Sequence, residues 1–436
     1  MRKSDSPPIQ ISLLNVSTGR CSVLLLLTLI LAVRVLAYPP TGGSGCVDWW
    51  TWADTLAPGV GYEFETEDLQ FFNRFCNTVQ KTDAFIRKVV GGIGGPQWAL
   101  TADASLTHRG EVGVLVAEII LDGLSLQVGS VDAENTAENA AYDIFTWDPA
   151  SKNGQQIEVQ DSPYGTWTIS TPNRRPTLGF IWYPQVTAPL PLQCIQDLIL
   201  QAVAGTRSWL LPEQPGTNFI AVKKEFFQSP RTGMSPDDVT QDMLGFFSVV
   251  LSYAKSSDKL KDNQSPKHLT SIMPRTDFTT MFNLIRHSVP VPLYPLIKIL
   301  ACYEETSSGL EIDEEWCTGD VDDPKPTNAM DDSFFDVGRD DGEGDLYIWE
   351  WMNSIQYYQY PDALTLFDHR FGSQLGGRGP RMEYVTYTAV RAPLWEFRDL
   401  ININTAAFKQ FTQGAMGVVV YYHDAYKRAL GLASPV

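Results

Sequence analysis

The sequence is short of what several common chemistries need. Its five histidines, His108, His268, His287, His369 and His423, form no HxxxH or HExxH pair, so the zinc-peptidase signature is missing. No GxSxG elbow occurs, which removes the local mark of a serine hydrolase, although a triad dispersed along the chain would leave no such mark. No CxxC or Cys/His spacing points to zinc, and no cofactor motif is present. Positive charge is scarce, with 33 Lys+Arg against 51 Asp+Glu and a net charge of −18. Phosphate backbones and anionic lipid both need clustered cations, so the composition argues against nucleic acid and against electrostatic membrane docking. There is no internal repeat. What the 436 residues do have is 44% hydrophobic content, a globular proportion that allows one large or two medium domains with a substantial core.

The first segment carries a targeting pattern. Arg2, Lys3 and Arg20 precede a 13-residue apolar run from Cys21 to Val33, and Val35-Leu36-Ala37 offers small or apolar residues at the cleavage site. This is the plan of a secretory signal peptide over 1–37, and the run is short for a membrane span, which needs about 20 residues. The rival reading is an uncleaved type II anchor, suggested by the long n-region and Arg34. Cleavage after Ala37 deepens the net charge to −21 and leaves five cysteines. In an oxidising compartment, Cys302 is expected to pair with Cys317, and Cys46 with Cys76, leaving Cys194 free and buried in a helix. Asn263-Gln264-Ser265 is the glycosylation sequon past the signal peptide, with Pro266 directly after it.

Pattern divides the remainder into 38–97, 98–230 and 231–436, with 98–436 as one domain in the alternative. Tyr38–Cys46 is a flexible lead-in. Thr66 reads as an N-cap, and Leu69, Phe72, Phe75, Cys76, Val79, Phe85, Ile86 and Val89 recur at helical spacing up to Gly91, predicting an amphipathic helix. From Trp98 to Pro184, the runs Val112–Val116, Tyr142–Trp147, Gln155–Val159, Thr166–Ser170 and Leu178–Tyr183 read as strands of an antiparallel sheet. Helices are expected from Pro191 to Gly205, from Ser235 to about Lys255, from Thr276 to before Pro290, over Leu293–Tyr303, and near 346–359 and 405–430, with a strand over Tyr384–Val390. Residues 304–345 read as an acidic irregular loop. The fold class is α+β: an antiparallel β-rich first half with helices packed around it and a mostly helical second half.

Several constellations have both a functional and a plain reading. Asp341, Glu343 and Asp345 alternate as calcium ligands would, but Leu346 and Met352 occupy the positions where an EF-hand needs Gly and Glu, so a solvated loop is favoured. Gly91–Gly95 follows a predicted helix and reads as a hinge rather than a phosphate-binding turn. Arg370, Arg378 and the glycine-rich stretch after His369 form a locally basic loop able to hold an anion. Arg275 with Asp277, and Arg398 with Asp399, stand in apolar context where an ionic group needs a specific partner. The plain reading is a buried ion-pair network; the sharper one makes Asp277, Asp399 or His369 catalytic. Trp49, Trp50 and Trp52 offer rings for sugar stacking, or equally for a core.

Pro266-Lys267, Ser271–Phe278 (SIMPRTDF), Leu293–Tyr303, the glycine-rich segment and Glu396–Leu400 (EFRDL) resemble a group of predicted secreted fungal proteins without assigned activity. The resemblance covers the second half of the chain, implies secretion and transfers no catalytic residue. The expectation is a secreted, disulfide-containing, acidic glycoprotein that contacts an extracellular glycan or protein, as a binding or effector-like protein. The alternative is a hydrolase acting on glycans through paired carboxylates.

Overall fold

Apolar and acidic residues alternate at Tyr62, Glu63, Phe64 and Glu65, and that period of two makes Gly61–Phe72 a strand, β1. The computed structural model describes residues 58–72, 85–89, 98–104, 114–121, 123, 126–158, 166–213, 218–257, 269–318, 327–335, 346–357, 382–385 and 390–432. All of these lie in one compact unit, Asp48–Val436. The signal peptide, Cys46, Cys76, Trp49, Trp50, Trp52, Asn263, His369, Arg370, Arg378 and the acidic stretch 336–345 lie outside the described residues.

β1 is followed by β2 (Phe85–Val89), β3 (Trp98–Ala104), β4 (Val114–Leu121), helix α1 (Asp132–Trp147), β5 (Gln156–Glu158), β6 (Thr166–Ser170) and β7 (Ile181–Pro189). Then come α2 (Leu192–Val203), α3 (Gln241–Ala254), β8 (Ile272–Pro274), α4 (Phe278–Ile285) and α5 (Leu293–Ala301). Short ribbons pair β9 (Tyr303–Thr306) with β10 (Gly309–Ile312), β11 (Cys317–Thr318) with β12 (Thr327–Asn328), and β13 (Phe334–Phe335) with β14 (Leu346–Tyr347). The chain continues through α6 (Ile348–Tyr357), β15 (Met382–Tyr384), β16 (Arg391–Phe397), β17 (Ile403–Asn404) and α7 (Phe408–Ala429). The main sheet runs β15-β16-β7-β1-β4-β3-β2, with β6 also on β1, β8 on β16 and β17 on β7. All of its pairings among the described residues are antiparallel, so the α+β class is as expected.

The sheet has one apolar and one polar face. Tyr62, Phe64, Ile119, Leu121, Trp182, Val186, Trp395 and Phe397 are buried on the first. Phe408 of α7 stacks on Phe64 at 4.2 Å and meets Trp182 edge-on at 5.2 Å, while Phe411 adds an edge contact to Phe64. Aromatic burial of this kind is worth a few kcal/mol per ring, which seats α7 on the sheet. α2 and α3 approach so closely at Gly245 that a Cβ there would collide with the Leu192 carbonyl.

Four sequence expectations are corrected. No helix starts at Thr66: β1 runs through it, and Phe85–Val89 is a strand as well. The register against β4 skips between Thr66 and Gln70, a bulge that resets the alternation. Apolar-face residues therefore fall at 62, 64, 66, 69 and 71, and Phe75, Cys76 and Val79 of the expected helix lie outside the described residues. Tyr142–Trp147 is the last part of α1, not a strand. Ser235 caps only a short turn over Pro236–Asp238, and α3 starts after Thr240, whose hydroxyl accepts from the Met243 amide. The strand expected over Tyr384–Val390 is described at 382–384 and 391–397 instead. By contrast, Thr166–Ser170 and the helix between Pro191 and Gly205 stand as expected. The Cys302–Cys317 disulfide is formed and Cys194 is free and buried. No helix of the described residues is long and apolar enough to cross a membrane.

Candidate functional site

Residues directly opposite each other in antiparallel strands share a face. Glu63 stands opposite Gln185, Glu65 opposite both Glu118 and Tyr183, Thr101 opposite Glu118, and Glu396 opposite Thr187. These side chains make up the polar face, spread over five adjacent strands. Glu63, Thr101, Glu118, Gln185, Thr187 and Glu396 are all buried, Glu396 completely. Tyr183 is 45% exposed and marks the open end.

Charge on this face is organised around Glu396. Arg275, just past β8, and Arg398, just past β16, both form ion pairs with its carboxylate. Arg398 also donates from Nη2 to Gln185 Oε1 at 2.8 Å. Burial alone would weaken the Arg398 charge, but the carboxylates of Glu396, Glu63 and Glu65 outweigh it and raise its pKa. Tyr253 on α3 adjoins the network: burial is the main cause of its raised pKa, with Glu396 adding to it. Farther along, Thr101 donates from Oγ1 to Glu118 Oε2 at 3.0 Å. At the open end, burial and then Glu67, Asp68 and Glu65 raise the Tyr183 pKa, against the pull of Arg175.

The β1 bulge is fastened by Asp68, which accepts from Asn173 Nδ2 at 2.6 Å and from the Ile181 amide at 2.7 Å. Thr66 Oγ1 donates to the Ile181 carbonyl at 2.6 Å. This clamp fixes the twist of β1 beside Glu65 and so the direction of its carboxylate.

Of the residues singled out from sequence, the structure brings together Arg275 and Arg398, through Glu396. It turns their neighbours away. Asp277 is the N-cap of α4, accepting from the Thr280 amide at 2.7 Å and the Thr280 hydroxyl at 2.8 Å. Asp399 has φ +55°, accepts from Ser271 Oγ at 2.7 Å, and its carbonyl takes the Glu213 amide. Glu63, Glu65, Glu118, Gln185 and Glu396 were missed. Their signal lay in the strand alternation of Tyr62–Glu65 and in lone acids inside the apolar runs VLVAEIIL and PLWEF. Among the described residues no cluster of His, Cys, Asp and Glu has the arrangement of a metal site.

No family of known proteins matches the sequence, and no curated protein is similar to it. Among solved structures, a mutant ACD domain of a VgrG toxin from Vibrio cholerae, in complex with ADP and manganese, aligns over 81% of this chain and 96% of that one. It is 10% identical with a TM-score of 0.36. Likeness at that level supports no conclusion about this chain.

Proposed function

We propose that the polar face of the sheet is the reactive centre of a secreted hydrolase acting on glycans, with Glu65 and Glu118 as its carboxyl pair. The observation that carries this reading is their direct opposition on β1 and β4. Opposed residues hold their Cβ atoms about 4.5–5.5 Å apart. From there the two carboxyl groups reach the separation of roughly 5–10 Å that retaining and inverting glycosidases use.

The surroundings suggest a division of roles. Glu118 is buried and receives a hydrogen bond from Thr101, which holds its carboxyl group in place for attack on the anomeric carbon. Glu65 is less enclosed and lies opposite the exposed ring of Tyr183. There it donates a proton to the leaving oxygen as the glycosidic bond breaks. It then takes a proton from the water that releases the sugar from Glu118. Tyr183 supplies a stacking surface for a sugar ring at the entrance. The Arg275–Glu396–Arg398 network fixes the back wall.

The test is reducing-end release from a panel of polysaccharides by wild type, Glu118→Gln and Glu65→Gln, with polymer pull-down in the same tubes. Each substitution is expected to lower turnover by at least about 10²-fold while binding and Tm hold. Wild-type binding without turnover would replace the hydrolase with a glycan-contacting binding protein. Neither binding nor turnover would sink the glycan reading.

A further inference from the structure

A cavity lies between α7 and the segment 207–213, with a volume of about 670 Å³. That is within the range of about 300–1,000 Å³ typical of small-molecule sites. It is lined by Trp209, Tyr421, Tyr422, Val418 and Ile401 and by the helix backbone at Gly414 and Gly417.

The two glycines have different reasons to be there. At Gly414 a Cβ would collide with the Trp209 indole, so this glycine seats the ring, which also meets Phe411 edge-on at 5.8 Å. Gly417 has no such reason: a Cβ there would meet nothing within 4 Å, and its backbone is ordinary helix. Glycine inside a helix costs about 1 kcal/mol relative to alanine. Neither packing nor dihedral angle requires it, and its exposed backbone opens onto the cavity.

Charge at the mouth narrows the ligand. Arg207 and Glu213 line the cavity and are exposed. Neither side chain has a partner among the described residues. One cation and one anion offer a net-neutral rim, which a ligand of net charge does not match. Aromatic side chains beside bare helix backbone suit a flat ring system.

We infer that this cavity is a binding site for a flat, net-neutral aromatic small molecule, its ring lying over Gly417 between Trp209 and Tyr421 and its polar edge at Arg207 and Glu213. The site is separate from the sheet's polar face, since α7 covers the apolar one. The probe is N-phenyl-1-naphthylamine, an uncharged naphthalene whose fluorescence rises on entering an apolar site, titrated against the full chain.

Wild type is expected to bind saturably at one site. Gly417→Leu, which puts a side chain into the cavity, is expected to weaken binding at least 10-fold. Gly417→Ala is expected to raise Tm and weaken binding less. Should Gly417→Leu fail to fold, Tyr421→Ala, which removes an exposed lining ring, is read instead and is expected to weaken binding at least 5-fold. Absence of saturable binding in wild type would overturn the proposal. So would unchanged affinity in whichever of these two variants is folded.

Discussion

His423 sits on α7 with Nε2 2.7 Å from the Pro189 carbonyl at the end of β7, so the neutral ring donates a hydrogen bond there. Burial is the main cause that pushes its pKa down to about 4, the Pro189 bond and Asp424 oppose the shift, and Lys427 adds to it. In the unfolded chain an ordinary histidine titrates near 6.5. The folded state is then the weaker proton binder between these values. Its stabilising contribution is complete above about pH 6.5, falls as pH drops, and is lost below about 4. A difference of about 2.5 units corresponds to about 3 kcal/mol. For a unit of this size, with an unfolding entropy of about 0.8 kcal/mol/K, that is a Tm change of about 4 °C. Many carboxylates titrate in the same window, so the measurement is a difference. Tm is followed from pH 7.5 to pH 4 for wild type and for His423→Gln, which keeps a donor and removes the titration. The variant is expected to start lower and to lose about 4 °C less over the window. Parallel curves for the two proteins would refute the reasoning.

Asp277→Ala removes the α4 cap and is expected to cost about 1 kcal/mol in denaturant unfolding, with turnover unchanged, separating a capping residue from a catalytic one. Glu396→Gln leaves Arg275 and Arg398 without their shared carboxylate and is expected to destabilise by about 3–5 kcal/mol, read as a drop in the urea midpoint. Replacing Cys302 and Cys317 together opens a loop of 15 residues and is expected to cost about 3 kcal/mol, which reduction of wild type by dithiothreitol should reproduce. Gly245→Ala forces α2 and α3 apart at Leu192 and is expected to cost about 1–3 kcal/mol or more, seen in Tm or in loss of soluble product.

Local chemistry made the helical half legible. Pro191 and Gly205 bracket α2, and the caps of α3 and α4, Thr240 and Asp277, lie within a few residues of where spacing suggested. Both arginines in apolar context proved to be ion-paired, as the cost of burying a lone charge requires. Their partner, Glu396, lies two residues from Arg398, but its link to Arg275 depends on the register of β8 against β16, a long-range property that no local window holds. β1 was misread because Leu69 and Phe72, which open the apparent helical spacing, lie at its end, where the bulge interrupts the alternation that marks a strand. The carboxyl pair needs two such strands aligned, Glu65 and Glu118 being joined by sheet register rather than by sequence.

The placing of β1 sets a timetable for synthesis. Its rings are covered by Phe408, and Tyr62 donates to the Thr412 carbonyl, 350 residues later in the chain. At about 5–20 residues per second, roughly 20–70 s pass between the appearance of Phe64 and that of Phe408. Throughout that interval the apolar side of the first strand has no lid, and the loop to be closed is nearly the whole chain. Folding is therefore a late, whole-molecule event. A chain stopped short of α7 would keep Phe64 and Trp182 uncovered and should be held by chaperones or lost to aggregates, however well its earlier segments are made.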